Sequence, residues 1–254
     1  MRPWDAALFA GYLAAVAAWA TIARLRRDLW PPLASPGFVH PWREVAFAFV
    51  AVIGVLLIGQ LWVRGIRIPA TGPAGPLIES LNQLIIFSPI LLLPALRRQS
   101  YETALLRRDR VLARIGVGIG IAVVALAVHV AMRRALGDDV LLVPRILQLQ
   151  NIDEAVQVLL EDIAVAILLV RLAAAIGVRG TVIVVASLFA VAHLPTMIAR
   201  GTDATAVLGL LRDVALGVLV LGAVLRSGDV LWFWPVHLMM DLTQFARVMG
   251  VPPG

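Results

Sequence analysis

Across 254 residues the chain is 61% hydrophobic and 15% charged, with a mean hydropathy of +0.91. Soluble domains are about 45–50% apolar and about 25% charged, so too little polar surface remains for a water-facing shell and lipid must solvate most of the chain. The net charge of +6 forms no stripe that could follow a nucleic acid; the basic residues, all of them Arg, sit in small groups between apolar runs, as loop residues at a membrane surface do.

The chain contains no Cys, which excludes disulfides, thiolate metal sites and Cys nucleophiles. The use of Arg to the exclusion of Lys reads as high genomic G+C content, and the composition as prokaryotic.

A spanning helix needs about 20 mostly apolar residues. The first run, residues 4–23, begins beside Asp5 and ends at Arg24, Arg26 and Arg27; it reads as a first transmembrane helix rather than a removed signal peptide. Trp30-Pro31-Pro32 and Ser35-Pro36-Gly37 break the chain before a second run at 44–63, and Pro69 to Pro76 precede a third at 77–96. The fourth, 112–132, carries Gly116, Gly118 and Gly120. No strand precedes these glycines, so they predict a helix-packing surface and not a nucleotide loop. Gly137-Asp138-Asp139 leads to a fifth run at 152–176, then Gly177 and Gly180 to a sixth at 181–199. The seventh and eighth are 205–225 and 229–248.

The expected fold is therefore all-α: a polytopic transmembrane bundle of about eight helices forming a single integral membrane domain over 1–254. Residues 1–140 carry no motif, and 150–250 form the core that does. No period of 20–50 residues repeats, which excludes solenoids. Arg is more frequent in the loops after the first, third, fifth and seventh runs, a bias that favours both termini outside the cytoplasm. Trp4, Trp30, Trp42, Trp62, Trp232 and Trp234 fall near run ends, where an interfacial aromatic belt belongs.

Charge at mid-bilayer depth costs several kcal/mol and is normally functional or paired. Inside the runs stand Glu161 and Asp162 in the fifth, His193 in the sixth, Arg212 and Asp213 in the seventh, and His237 and Asp241 in the eighth. At about 1.5 Å per residue, Glu161 lies roughly 13 Å, His193 roughly 9 Å, Arg212 roughly 10 Å and His237 roughly 18 Å from the same membrane face. Four helices thus bring polar groups to one layer. His237 and Asp241 are four apart, so the carboxylate can accept the imidazole proton. Phe189 and His193 share that spacing. Glu154, Gln157 and Glu161 line a further face and suggest a hydrated route inward. Glu79, Asn82 and Gln83 read as helix packing or headgroup contact; a structural network is the alternative to function for the buried acids, and an ion pair explains Arg212 and Asp213 equally well.

At these residues the chain resembles the CPBP intramembrane proteases, also called the Abi or CAAX prenyl endopeptidase family. The family signature is Glu-Glu-x-x-x-Arg, then Phe-x-x-x-His, then His-x-x-x-Asn or Asp, on successive helices. Here the elements read Glu161-Asp162-Ile163-Ala164-Val165-Ala166, then Phe189 to His193 continuing into Leu194-Pro195, then His237 to Asp241 preceded by Trp234-Pro235. Asp162 shortens the second acid, and Ala166 stands where the family has Arg. Two adjacent carboxylates in low dielectric need a counter-charge, and Arg212 is the expected substitute.

The resemblance implies hydrolysis of a peptide bond without a covalent intermediate, in a membrane-associated peptide or protein. Glu161 would activate water with help from His193, while His237 and Asp241 hold the water or stabilise the oxyanion. It also implies zinc or another divalent metal, for which Glu161, His193 and His237 are suited in type and number, although no His-Glu-x-x-His spacing is present. The residues fit metal-free general base catalysis and Lewis-acid hydrolysis alike. Two other classes stay open: a non-catalytic scaffold or immunity protein of the same fold, favoured by Ala166, and a small transporter, disfavoured by the lack of an inverted repeat. The expected location is a bacterial inner or plasma membrane, with lipid as a partner and nucleic acid excluded.

Overall fold

The computed structural model describes residues 3–31, 37–137, 151–192 and 204–248, with side chains placed over 5–31, 37–137, 151–192 and 209–244. These residues form eight α-helices and one short 3₁₀ turn, with no strand among them. The helices are α1 (Pro3–Leu25), α2 (Pro41–Val63), α3 (Gly75–Leu96), α4 (Val111–Ala135), α5 (Ile152–Ile176), α6 (Val178–Ala192), α7 (Ala204–Ser227) and α8 (Phe233–Val248), with the 3₁₀ turn at Tyr101–Ala104. The fold is the expected helical bundle. In four helices, Asp5–Leu25, Pro41–Val63, Gly75–Leu96 and Val111–Ala135 are long and apolar enough to cross a membrane, so this is a membrane protein.

The eighth run starts later than its apolar pattern suggests, at Phe233 instead of Asp229. Local side-chain bonds compete with the helix there. The amide of Leu231 donates to Asp229 Oδ1 at 3.1 Å, and the amide of Asp229 donates to Ser227 Oγ at 3.2 Å. The helix then begins with Pro235 in its first turn, where the missing N–H is harmless.

Helix α5 sits centrally, packed against α2, α3, α6 and α8, while α1 packs on α4 and touches α7 and α8. One hydrophobic cluster joins buried residues of α1, α2, α3, α4, α5, α7 and α8, among them Trp19, Ile90, Ala125, Ile167 and Met240. Small residues set the closest approaches. A Cβ on Gly118 would lie 2.5 Å from the Trp232 carbonyl oxygen, so α4 meets the α7–α8 turn backbone to backbone. Gly116 and Gly120 face open space, so the glycine surface read from the sequence narrows to its central member.

Two of the tryptophans placed in the belt, Trp30 and Trp232, are buried instead. Trp19 stacks on Trp232 at 5.4 Å and 14°, and Trp30 meets both edge-on at 6.3 and 6.5 Å. The indole N–H groups of Trp30 and Trp232 find acceptors inside, as a buried N–H requires, whereas that of Trp19 is buried with no hydrogen-bond partner among the described residues. Trp232 Nε1 donates to Ser227 Oγ at 2.9 Å and Trp30 Nε1 to Asp229 Oδ2 at 3.2 Å. That same Asp229 oxygen lies 3.3 Å from Arg114 Nε, and both charged side chains are fully buried. Arg114 also donates to the carbonyls of Arg107 and Asp109. Above this lock, the loop after α1 is tied down by Arg107 Nη1 donating to the Pro31 carbonyl at 2.8 Å and by the Arg110–Asp28 pair. Arg26 at 3.0 Å and Arg110 hold the Asp28 carboxyl down at about 2. Trp42, at 64% exposure, does face outward.

Candidate functional site

A cavity of about 260 Å³ opens among α1, α5, α6, α7 and α8. One wall is polar and comes from two helices: Glu161 and Asp162 of α5, His237 and Asp241 of α8. Leu8, Val165, Leu216 and Val220 add an apolar lining. Phe189 of α6 lines the cavity too, and Arg212 and Asp213 of α7 complete it.

Helical periodicity explains the polar wall. His237 and Asp241 lie one turn apart on a shared face of α8, while Glu161 and Asp162 are neighbours whose side chains diverge by about 100° around α5. Asp162 turns inward and is buried, 6% exposed, whereas Glu161 is half-buried at the cavity.

His237 is the centre of the wall. Its Nδ1 lies 2.8 Å from Asp162 Oδ1, and its Nε2 lies 3.6 Å from Asp241 Oδ2. With Asp162 ionised, a state in which a carboxylate only accepts, Nδ1 is the donor to it and Nε2 faces Asp241. Phe233, one turn earlier, stacks on the imidazole at 5.4 Å and 22°, and Tyr12 of α1 packs against Phe233 at 6.3 Å. The ring is therefore fixed in tilt as well as in hydrogen bonding. Gln157 Nε2 donates to Glu161 Oε1 at 3.0 Å, and Gln244 Nε2 donates weakly to Asp241 Oδ1 at 3.4 Å. Asp162 Oδ2 is buried without a hydrogen-bond partner among the described residues.

Two expectations change. The primary partner of His237 is Asp162 on another helix, with Asp241 second, because the i,i+4 approach along α8 leaves 3.6 Å while the α5–α8 contact closes to 2.8 Å. Arg212 lines the cavity but makes no ion pair with Glu161 or Asp162. Its Nη1 lies 2.6 Å from Asp5 Oδ2 and its Nη2 3.0 Å from Asp213 Oδ1. Carboxylates nearer to hand, on α1 and beside it in sequence, take the guanidinium. Ala166 is fully buried in the hydrophobic cluster, so apolar packing fills the position of the family's Arg.

His193, Leu194 and Pro195 lie outside the described residues. Among the described residues, no three His, Asp or Glu side chains converge as a metal-binding group, and Nδ1 of His237 is already engaged. The set Glu161, His193 and His237 thus rests on one residue the description does not include.

Sequence reasoning assigned no site residue to the first four runs, yet α1 supplies Asp5, Leu8 and Tyr12 to the site and its rim. The signal was present: Asp5 and Tyr12 are seven apart, two turns on one helix face. Gln244 was missed too, three residues beyond Asp241. Two buried arginines also went unread. Arg171 is fully buried and donates to Gln99 Oε1 at 2.6 Å and to the carbonyls of Thr103 and Ile167; Arg114 is described above. By contrast, Asn82 behaves as a packing residue, exchanging both amide bonds with Ile68 at 3.1 and 2.9 Å and holding Glu79 at 3.1 Å.

No family model matches the chain, and no curated protein or solved structure matches it either.

Proposed function

We propose that the protein is an intramembrane endopeptidase of the CPBP type, cutting a peptide bond of a membrane-associated substrate in a prokaryotic plasma membrane. The observation that carries this reading is the His237 imidazole, held between Asp162 and Asp241 on the wall of a cavity that also presents Glu161. Glu161 is the general base: it takes a proton from water as the oxygen attacks the scissile carbonyl, and passes it to the leaving amine. A base positioned in this way contributes about 10²–10⁴ in rate. His237, held as an imidazolium between Asp162 and Asp241, donates from Nδ1 to Asp162 and from Nε2 to the developing oxyanion. The apolar lining from Leu8, Leu216 and Val220 accepts a hydrophobic side chain of the substrate. Zinc or another divalent ion would supply a Lewis acid if His193 joins Glu161 and His237, and none of these steps depends on it.

The test is cleavage of a panel of transmembrane and juxtamembrane peptides by the full chain in detergent micelles. The wild type is expected to cleave at least one, and Glu161→Gln and His237→Ala to lose that cleavage while remaining folded. Undiminished cleavage in both variants would reject the site.

A second reading is a non-catalytic membrane scaffold or immunity protein. It is favoured by Ala166 packed in the core and by Arg212 committed to Asp5 and Asp213, which leave the acids of α5 without an arginine. Silence of the wild type across the whole panel supports this reading over the first.

A further inference from the structure

A second cavity of about 530 Å³ lies at the opposite end of the bundle from the Asp5–Arg212 contact, where residues 37–40 enter α2 beside the end of α3. Phe38, His40, Arg43, Glu44, Arg97 and Gln99 line it. This is the Arg-rich end, which also carries Arg24, Arg26, Arg27 and Arg98.

The charges do not balance. Glu44 is the one carboxylate lining the cavity, and it is saturated from within the protein. Its Oε1 accepts from Arg97 Nη2 at 2.8 Å and its Oε2 from Gln99 Nε2 at 2.8 Å. Behind them, the buried Arg171 holds Gln99 Oε1 at 2.6 Å. Arg43 is exposed and has no acidic partner among the described residues. The N-terminal end of the 23-residue α2, with no side-chain cap from His40, adds the positive pole of its dipole. The cavity therefore keeps an uncompensated positive charge.

What lies beneath selects among anions. Trp42 is 64% exposed and Val39 86%, placing the cavity mouth at the depth where Trp residues meet headgroups. Below it, Val50, Ile53, Leu57 and Leu61 are exposed at spacings of three and four along α2, a single apolar face. At the head of this track the Arg97 guanidinium covers the Phe47 ring at 4.4 Å. A small soluble anion would use the charge and ignore the track; an amphiphile uses both.

We propose that this cavity binds the headgroup phosphate of an anionic phospholipid, with the acyl chains lying along the outer face of α2. Arg43 is the residue that meets the phosphate, and Arg97 neutralises Glu44 while its guanidinium covers the Phe47 ring. The site is independent of the proposed peptidase chemistry.

The experiment is native mass spectrometry of the full chain released from phosphatidylcholine nanodiscs with and without phosphatidylglycerol, repeated on Arg43→Gln and on Arg24→Gln, an exposed arginine at the same end outside the cavity. One basic side chain near an anionic surface is worth about a fivefold change in affinity. The wild type is expected to retain phosphatidylglycerol, Arg43→Gln to bind it about fivefold more weakly, and Arg24→Gln to match the wild type. Equal loss in both variants would show diffuse surface attraction and overturn the proposal. So would equal retention of the two lipids by the wild type. A further arm adds inorganic phosphate or glycerol phosphate: displacement of the lipid at low concentration assigns the cavity to a soluble anion and overturns the lipid reading, whereas retention supports it.

Discussion

His237 turns Nδ1 toward Asp162, 2.8 Å away on α5, and leaves Asp241, four residues along its own helix, at 3.6 Å. The shorter contact orients the ring, because the nitrogen that donates to a carboxylate fixes which one is left for chemistry. The two aspartates are therefore not equivalent. For the proposed peptidase, Asp162→Asn is expected to lower kcat by about 10²–10⁴, the range for losing a positioned acid–base group, and Asp241→Asn by about tenfold. Steady-state kinetics on a cleaved peptide decides this, and the reverse order would show that the α8 pair orients the ring.

Arg212 bridges α7 to α1 through Asp5 at 2.6 Å, with both side chains largely withdrawn from solvent. Contacting charged partners couple by about 0.5–3 kcal/mol. A double-mutant cycle of Asp5→Asn and Arg212→Gln, followed by thermal unfolding in detergent, should return a coupling in that range. Strict additivity would mean that the bridge contributes nothing measurable.

The three glycines of α4 should respond differently to the same substitution. Gly118→Ala would set a methyl group 2.5 Å from the Trp232 carbonyl, and forcing that backbone apart is expected to cost about 1–3 kcal/mol. Gly116→Ala and Gly120→Ala meet nothing within 4 Å and should gain up to about 1 kcal/mol from helix propensity. Unfolding midpoints of the three single variants check the contrast.

Arg114 and Asp229 form an ion pair with both side chains fully buried. Removing one partner from such a pair strands the other and costs about 3–5 kcal/mol. Asp229→Ala should show that loss in a denaturant melt, while the double variant Arg114→Leu with Asp229→Leu should recover part of it. A double variant weaker than Asp229→Ala would point to the bonds from Arg114 to the Arg107 and Asp109 carbonyls as the larger contribution.

The helical layout was readable because long apolar runs between arginine groups and Pro or Gly breakers leave few alternatives in lipid. Rise per residue put Glu161, His193, Arg212 and His237 at a common depth; Glu161, Arg212 and His237 do line one cavity, and His193 lies outside the described residues. Pairing between helices was not readable. Whether Arg212 meets Glu161 or Asp5 depends on which helices are neighbours and on their rotation, and no spacing within one helix encodes either. The buried tryptophans failed for a related reason: an indole at a run end looks interfacial until a partner such as Asp229 is brought to it from 199 positions away. Arg114 and Arg171 escaped notice because each stands within a few residues of a helix end, where arginine is unremarkable unless a loop folds over it.

The lock at the Arg-rich end also carries a consequence for the order of assembly. Trp30 and Asp229 are 199 residues apart in the chain, and three helices, α5 to α7, separate Arg114 from Asp229. Until α7 has been inserted and the turn behind it has closed, Arg114 lacks the carboxylate that shares its burial, and Trp19 has no indole of Trp232 to stack on. The contact that completes the burial of Arg114 is therefore available only once the chain has been made through Asp229.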